Sequence, residues 1–327
     1  MSHATRVRRS LRTAAVAATG IALSLAGPAT ATEQSGTVRI DNRQLIVTGT
    51  DQADQIALRV PAADPTVLEI DFGNDGTDDT VKLADFGQLL LNSLRGDDDV
   101  RIDFGTQAQP FTVVDSGDGD DVVAGGSGNE LFRTGSGNDV VDGNRGADTA
   151  SLGNGADAFV WDQGDGSDTI EGGRGRLDRM VFNGFANAEK FAATADEQRL
   201  RFTRDLGSIV MDTDDVEQVV VNALGGADTT TIDDLRGTDV RRVDVNLAGP
   251  DGAGDGANDA VTVNGTDRRD HIRVSGSDGT VNVDGLRPKV RITNAEAADQ
   301  LTVDTRAGND FVTSRRLAAG TIGLTIL

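Results

Sequence analysis

Residues 116–171 carry a nine-residue repeat that limits what the chain can fold into. Six lines of nine follow one another, and a two-residue insertion, Trp161 and Asp162, separates the last two lines. Every line has glycine at its fourth place, an acidic residue at its sixth and an apolar residue at its eighth. The glycines are Gly119, Gly128, Gly137, Gly146, Gly155 and Gly166. The acidic residues are Asp121, Glu130, Asp139, Asp148, Asp157 and Asp168. The apolar residues are Val123, Phe132, Val141, Ala150, Phe159 and Ile170.

Each line predicts a tight turn followed by a short strand. Glycine reaches the positive φ angles that tight turns need. The last three residues alternate, so their central apolar side chain points to one face of a strand. One such strand cannot bury its apolar face alone, but stacked copies form a continuous core. The repeat therefore predicts an all-β fold.

The repeat resembles the calcium-binding nonapeptide of the RTX (hemolysin-type) family, G-G-x-G-x-D-x-U-x. The resemblance implies a parallel β-roll or β-solenoid in which two nonamers complete one coil and calcium lies between successive turns. It also implies that the six sixth-place residues are the metal ligands. With two nonamers per coil, these residues form two ladders, and the insertion near Trp161 is expected to disturb the last step. The ladders are Asp121, Asp139 and Asp157 on one side, and Glu130, Asp148 and Asp168 on the other.

The charges of these ladders give an independent reason to expect a cation. Carboxylates stacked about 4.8 Å apart repel one another by a few kcal/mol at an effective dielectric near 20. Calcium takes roughly six to eight oxygen ligands from carboxylates and backbone carbonyls, and a glycine-rich turn can supply both. We therefore predict calcium as the cofactor. A solvated loop without metal is the alternative.

Several lines depart from the family pattern, and some sites are therefore expected to be weak or empty. Glu130 replaces aspartate with a longer side chain, and Arg145 places a positive charge in a turn. Asn144 replaces the second glycine of one line. The first glycine is replaced by Ser116, Thr134, Leu152 and Gln163.

Composition supports a thin, extended core and an acidic surface. The 327 residues include 41 Gly, no Tyr and one Trp, and only 4% are aromatic, which is few for a compact globular core of this length. The absence of Cys excludes disulfides, thiol catalysis and cysteine metal sites. The net charge of −22 predicts no nucleic-acid partner, since such a surface repels phosphate.

Residues 1–31 are predicted to be a signal peptide. They contain four arginines and no acidic residue, then an apolar stretch over 13–27 and an Ala-x-Ala site at 29–31. The protein is therefore expected to be secreted and extracellular. Export by the general secretory route is favoured over the twin-arginine route that Arg8-Arg9 partly matches. No later segment is apolar enough to predict a membrane span. RTX toxins have no such leader, so the resemblance extends to the repeat only.

The rest of the chain is predicted to hold related β modules. Residues 47–56 align with 263–272 and place Asp54 and Asp270 at the sixth position. We divide the chain into a degenerate β module (32–114), the calcium-binding array (115–180) and two further modules (181–327). Residues 186–199 are the one predicted helix, and the apolar tail 315–327 is expected to cap the sheets or to pair with a partner. Predicted strands are 45–48, 56–60, 67–72, 219–222, 243–247, 281–283, 290–293 and 301–303.

No catalytic residue is predicted. His271 is the one histidine outside the signal peptide, and it lies in a predicted turn-to-strand step without a nucleophile motif. We therefore expect a structural or adhesive protein that extracellular calcium folds and stiffens, with an unidentified cell-surface or matrix partner. A polysaccharide-active β-helix enzyme and a metal-free scaffold with a decayed repeat are the alternatives.

Overall fold

The computed structural model describes residues 36–175 and 177–327, and almost all of their regular structure is β-strand. Two 3-10 turns, Leu83–Asp85 and Leu206–Ser208, are the helical elements of this part. None of the helices described could cross a membrane. The predicted signal peptide lies outside the described residues. The strands are β1 (Thr37–Asp41), β2 (Gln44–Thr48), β3 (Gln55–Arg59), β4 (Val67–Phe72), β5 (Asp79–Lys82), β6 (Gln88–Asn92), β7 (Asp99–Asp103), β8 (Phe111–Asp115), β9 (Val122–Ala124), β10 (Glu130–Arg133), β11 (Val140–Asp142), β12 (Thr149–Gly155), β13 (Ala158–Trp161), β14 (Thr169–Gly175), β15 (Arg179–Asn183), β16 (Lys190–Asp196), β17 (Arg199–Arg204), β18 (Ile209–Asp214), β19 (Gln218–Asn222), β20 (Thr229–Ile232), β21 (Arg242–Asn246), β22 (Ala260–Asn264), β23 (His271–Ser277), β24 (Thr280–Asp284), β25 (Lys289–Thr293), β26 (Gln300–Asp304), β27 (Phe311–Leu317) and β28 (Gly323–Ile326).

These strands form two sheets of 14 strands each. Sheet A has the order β1-β2-β6-β8-β10-β12-β14-β18-β17-β16-β20-β22-β26-β28, and sheet B the order β27-β23-β24-β25-β21-β19-β15-β13-β11-β9-β7-β3-β4-β5. From β6 to β15 the chain alternates between the sheets, and each strand pairs in parallel with the next strand of its own sheet. We call one strand of sheet A and the following strand of sheet B a layer.

The nine-residue repeat sets the register of these layers. In sheet B, Val123 pairs with Val141, and in sheet A, Phe132 pairs with Ala150, so each pair joins lines two places apart. All six eighth-place side chains are buried in one core. The prediction of a turn and a strand in every line is confirmed, because each x-U-x triplet lies in a strand.

An aromatic cluster packs between the two sheets where the array ends. Trp161 of β13 stacks on Phe182 of β15 with ring centroids 4.0 Å apart. Phe182 in turn lies 4.9 Å from Phe202 of β17, in the opposite sheet. The inserted Trp161 is fully buried, so the insertion adds a large side chain to the core rather than a solvated bulge.

The predicted helix over 186–199 is wrong. This segment forms β16 and the start of β17, which belong to an antiparallel unit of three strands, β16-β17-β18, inserted in sheet A. Phe191 and Ala193 alternate into the core while β20 pairs with β16 on its other side. Alternating burial and two strand partners outweigh the helix propensity of the alanines in this segment.

Other sequence predictions agree with the observed strands. Six of the eight strands predicted outside the array lie within observed strands, and the other two, 56–60 and 243–247, extend one residue beyond β3 and β21. The two aligned segments also have the same turn, because Thr50 and Thr266 each donate a backbone hydrogen bond to the acid four residues later, Asp54 (2.6 Å) and Asp270 (2.7 Å). The apolar tail ends in β28, the outermost strand of sheet A, and β27 is the outermost strand of sheet B at the same end.

Candidate metal-binding ladders

At every fourth-place glycine except Gly128, the turns stack so closely that a side chain has no room. Gly137 has φ +145°, and a Cβ atom there would lie 1.8 Å from the carbonyl oxygen of Gly119 in the neighbouring layer. The second place is equally tight in some lines, because a Cβ on Gly135 would lie 2.1 Å from the carbonyl oxygen of Gly117, whereas a Cβ on Gly164 would meet no atom within 4 Å. Glycine is therefore needed for close approach as well as for its backbone conformation. This stacking aligns the sixth-place acids.

The first ladder runs along the sheet B side of the array. The backbone N–H of Asp121 donates to Oδ1 of Asp139 at 2.9 Å, and that of Asp139 donates to Oδ1 of Asp157 at 2.8 Å. Each carboxylate therefore binds the backbone of the neighbouring layer through one oxygen. The structure brings these three predicted residues together in the predicted order.

The second ladder runs along the sheet A side. The N–H of Glu130 donates to Oδ1 of Asp148 at 2.7 Å, and that of Asp148 donates to Oδ1 of Asp168 at 2.9 Å. The expectation that the insertion disturbs the last step is wrong. The inserted Trp161 is the last residue of β13, and its Nε1 donates to the carbonyl oxygen of Gly166 at 2.7 Å, so the loop closes before Asp168.

We call each acidic residue of a ladder a rung. In all six rungs of the array, the second carboxylate oxygen is buried and has no hydrogen-bond partner. This holds for Oδ2 of the five aspartates and for Oε2 of Glu130. The six residues are at most 3% exposed. No lysine or arginine of the described chain lies within salt-bridge distance of them. Buried carboxylate oxygens without hydrogen bonds or counterions are unfavourable, and native structures rarely contain a row of them.

Burial raises the pKa of these carboxyl groups. Loss of solvation is the largest cause, and neighbouring ladder carboxylates add to it at Asp139, whose pKa rises to about 7, and at Asp168, also about 7. The pKa rises to about 6 for Asp157, and burial also raises the pKa of Asp121 above its usual value. Burial and then the charge of Asp148 raise the pKa of Glu130, and burial raises the pKa of Asp148.

The donor set fits a hard divalent cation. Carboxylate and backbone oxygens suit calcium or magnesium, and the unpartnered oxygens are free to ligate. Each layer supplies one carboxylate per ladder, so backbone carbonyls of the turns would complete the shell. Within the described ranges, closer acidic groups with oxygens within 4.8 Å of one another occur elsewhere, at Asp71, Asp75 and Asp78 and at Asp214, Asp215 and Asp239. Most of those side chains are exposed or half-buried.

The departures from the family pattern have distinct places in the structure. The Ser116 and Thr134 hydroxyls donate to carbonyl oxygens of the next layer, at 3.4 and 2.6 Å. Leu152 is fully buried in the core. The side chain of Arg145 is exposed, whereas the ladder carboxylates are buried. Glu130 contacts the side-chain amide of Gln109, where an aspartate of the same ladder would contact a backbone N–H.

The sheet B ladder is longer than the sequence predicted. The N–H of Asp98 donates to Oδ1 of Asp121 at 2.9 Å, and that of Asp157 donates to Oδ1 of Asp178 at 2.8 Å. The N–H of Asp178 then donates to Glu217 at 3.0 Å. Asp98 and Asp178 also have buried, unpartnered Oδ2 atoms. The sixth-place alignment at Asp54 and the Gly96-Asp97-Asp98 unit were signals for one end. At the other end, residues 172–175 have the Gly-Gly-x-Gly spacing, but Asp178 follows one residue later than the nine-residue pattern requires.

His271 is exposed on β23, with its ring 6.2 Å from that of Phe311.

Comparison of the chain with known protein families and with curated proteins finds no match. The arguments about function therefore rest on the geometry of the ladders.

Proposed function

We propose that the protein is a calcium-binding β-roll whose two carboxylate ladders hold cations between successive layers. The ligands would be Asp121, Asp139 and Asp157 on one side and Glu130, Asp148 and Asp168 on the other. The observation that carries this proposal is the row of buried second oxygens without partners. A bound cation would neutralise each row and supply the missing interactions. Calcium would thereby stabilise the folded array.

The biological role proposed is structural or adhesive, outside the cell. Extracellular calcium-binding modules have dissociation constants of about 10⁻⁴ to 10⁻³ M, and we expect the same range for the ladders. Because a cation that binds only the folded state adds to its stability, calcium would fold and stiffen the array. No catalytic role is proposed for any residue.

One observation favours a second candidate, a scaffold that folds without metal. Each ladder aspartate already accepts a backbone hydrogen bond through Oδ1, and raised pKa values allow protons to replace cations. A protonated Asp139 would pair with its neighbours without any ion.

A calcium titration of Asp139→Asn separates the two candidates. Asparagine keeps the oxygen that accepts from the Asp121 N–H but removes the charge and one ligand oxygen. If the ladders bind calcium, the variant gains less thermal stability from calcium than wild type does. If the protein is a metal-free scaffold, calcium stabilises neither protein. The exposed Asp278→Asn is the matched control, because its φ of +51° suits asparagine and its change in charge is the same.

A further inference from the structure

A separate row of four acidic residues lies in the C-terminal half of sheet A, outside the nine-residue array. We call it the C-terminal ladder. Its members, Glu189, Asp228, Asp259 and Asp299, immediately precede β16, β20, β22 and β26. The N–H of Glu189 donates to Oδ1 of Asp228 at 2.8 Å, that of Asp228 to Oδ1 of Asp259 at 2.8 Å, and that of Asp259 to Oδ1 of Asp299 at 3.0 Å. This is the hydrogen-bond pattern of the array.

The C-terminal ladder is not a continuation of the array. The antiparallel unit β16-β17-β18 lies between them in sheet A. Thr169 of β14 pairs with Asp212 of β18, so the apolar Met211 takes the position beside Asp168. Met211 is fully buried. The row of carboxylates ends at that point, and a new row begins at Glu189.

The first rung of the C-terminal ladder already has a cation from the protein. The guanidinium of Arg204 forms a buried ion pair with Glu189, whose side chain is fully buried. The guanidinium carbon of Arg204 also lies 5.3 Å from the centre of the Trp161 ring, and this cation–π contact favours the position of the guanidinium beside Glu189. Glu189 therefore needs no metal.

The second rung has no such partner. Asp228 is 2% exposed, and its Oδ2 atom has no hydrogen-bond partner. Among the described residues, no basic side chain lies within 4.0 Å of Asp228, Asp259 or Asp255. An ionised carboxylate in this position is unfavourable unless a positive charge accompanies it.

A third carboxylate is fixed beside this position. Oδ2 of Asp255 accepts from the N–H of Gly226, in the turn that precedes Asp228, at 2.8 Å. Burial is the main cause that raises the pKa of Asp228 to about 8, and the charges of Asp259, Glu189 and Asp255 raise it further. Asp255 and Asp259 therefore both accept backbone hydrogen bonds from the turn that carries Asp228, and the nearby guanidinium of Arg204 is paired with Glu189.

We propose that Asp228, Asp259 and Asp255 form a second site for a divalent cation, in the turns before β20 and β22. Its all-oxygen donors suit calcium or magnesium rather than metals that prefer nitrogen or sulfur ligands. This inference rests on the proposed function, because it assigns to another part of the chain the same chemistry. It adds a site that the nine-residue pattern does not reveal, and places it in the C-terminal half.

The test counts the calcium ions bound per chain by equilibrium dialysis of the full chain. Asp228→Asn keeps the oxygen that accepts from the Glu189 N–H and removes the charge and the free carboxylate oxygen. We expect this variant to bind about one calcium ion fewer than wild type, since one site loses a principal ligand. Asp278→Asn, the exposed control, should bind as many ions as wild type.

An array variant separates this inference from the proposed function. Asp139→Asn should lower the count independently, and the double variant should lose both contributions. If Asp139→Asn binds fewer ions than wild type but Asp228→Asn binds the same number, the second site is wrong and the array proposal stands. If wild type binds no calcium, both are wrong. Asp255→Asn provides a second test of the same site should Asp228→Asn not fold, and an unchanged count in that variant would overturn the inference.

Discussion

At the residue scale, the ladder aspartates use their two oxygens differently. Oδ1 of Asp139 accepts from the backbone of the neighbouring layer, whereas Oδ2 is buried without a partner. The first interaction fixes the position of the carboxylate, and the second oxygen carries charge that nothing in the described chain neutralises. The same division recurs at Asp148, Asp157 and Asp168. Stability without metal and affinity for metal should therefore change in opposite directions when one of these carboxylates is replaced.

Asp139→Asn should make the metal-free protein more stable. The substitution keeps the hydrogen bond and removes an uncompensated buried charge, so we expect the free energy of unfolding in chelator at pH 7.5 to rise by about 1 kcal/mol. Urea unfolding followed by circular dichroism measures this change, with Asp278→Asn as the control. A metal-free variant less stable than wild type would contradict the account of uncompensated charge.

A fourth-place glycine that stacks on the turn of a neighbouring layer should tolerate no side chain. Gly137→Ala would place a Cβ 1.8 Å from a backbone carbonyl oxygen and put alanine at φ +145°. We expect a loss of about 2 kcal/mol or more in the free energy of unfolding, since the backbone of two layers must move apart. Gly87→Ala is the matched control, because the nearest atom to its Cβ is a flexible arginine terminus at 3.8 Å. Equal stabilities for the two variants in thermal unfolding would show that the layers are not tightly stacked.

At the element scale, the antiparallel unit β16-β17-β18 links two regular stretches of sheet A. It supplies Phe202 to the aromatic cluster and Arg204 to the buried ion pair with Glu189. The pair lies under the ring of Trp161 and has little contact with solvent. This unit therefore contributes both apolar packing and a fixed positive charge at the end of the array.

Removing Arg204 alone should be more harmful than removing both partners. Arg204→Met leaves Glu189 buried without a counterion, and we expect a loss of about 3 kcal/mol or more in the free energy of unfolding. Adding Glu189→Gln should recover much of that loss. The exposed pair of Arg236 and Asp234 is the control, and Arg236→Met should cost less than about 1 kcal/mol. A double variant no more stable than Arg204→Met would mean that the charge of Glu189 is not the cause.

The array strands could be predicted from the sequence, whereas several acidic ladder residues and the strands of segment 186–199 could not. The array could be predicted because each of its lines contains a glycine, an acid and an apolar residue at fixed places. The rungs at Asp178, Glu217 and Asp259 were missed because their turns lack that spacing, and backbone pairing with the neighbouring layer brings them into line. The segment 186–199 was predicted as a helix because pairing with β17 and β20 is a tertiary interaction that local composition does not encode.

At the scale of the whole molecule, the buried carboxylates link stability to pH. In Asp139, Asp168 and Asp98 the folded-state pKa is about 7, above the ordinary aspartate value, so the folded state retains protons that the unfolded state has released. Their stabilising contribution is therefore complete below about pH 4 and is lost as the pH rises through 7. The shifts of all three carboxyl groups have the same direction, so together they produce a large effect.

We expect the metal-free protein to have a higher melting temperature at pH 5 than at pH 7.5. Calcium should reduce or reverse this difference, because protons and calcium compete for the same oxygens. Thermal unfolding at both pH values, with chelator and with excess calcium, measures the four melting temperatures. Metal-free melting temperatures that rise from pH 5 to pH 7.5 would contradict the burial of ionised carboxylates.

A calcium titration of the chelated full chain, followed by far-UV circular dichroism and by the melting temperature, tests whether the ladders bind calcium. Magnesium at the same concentrations is the control. The account predicts that calcium raises the β-sheet signal and the melting temperature at about 10⁻⁴ to 10⁻³ M, and that magnesium does so less. A chain with the same spectrum and melting temperature in chelator and in millimolar calcium would contradict it, and the metal-free scaffold would then be the better account of the ladders.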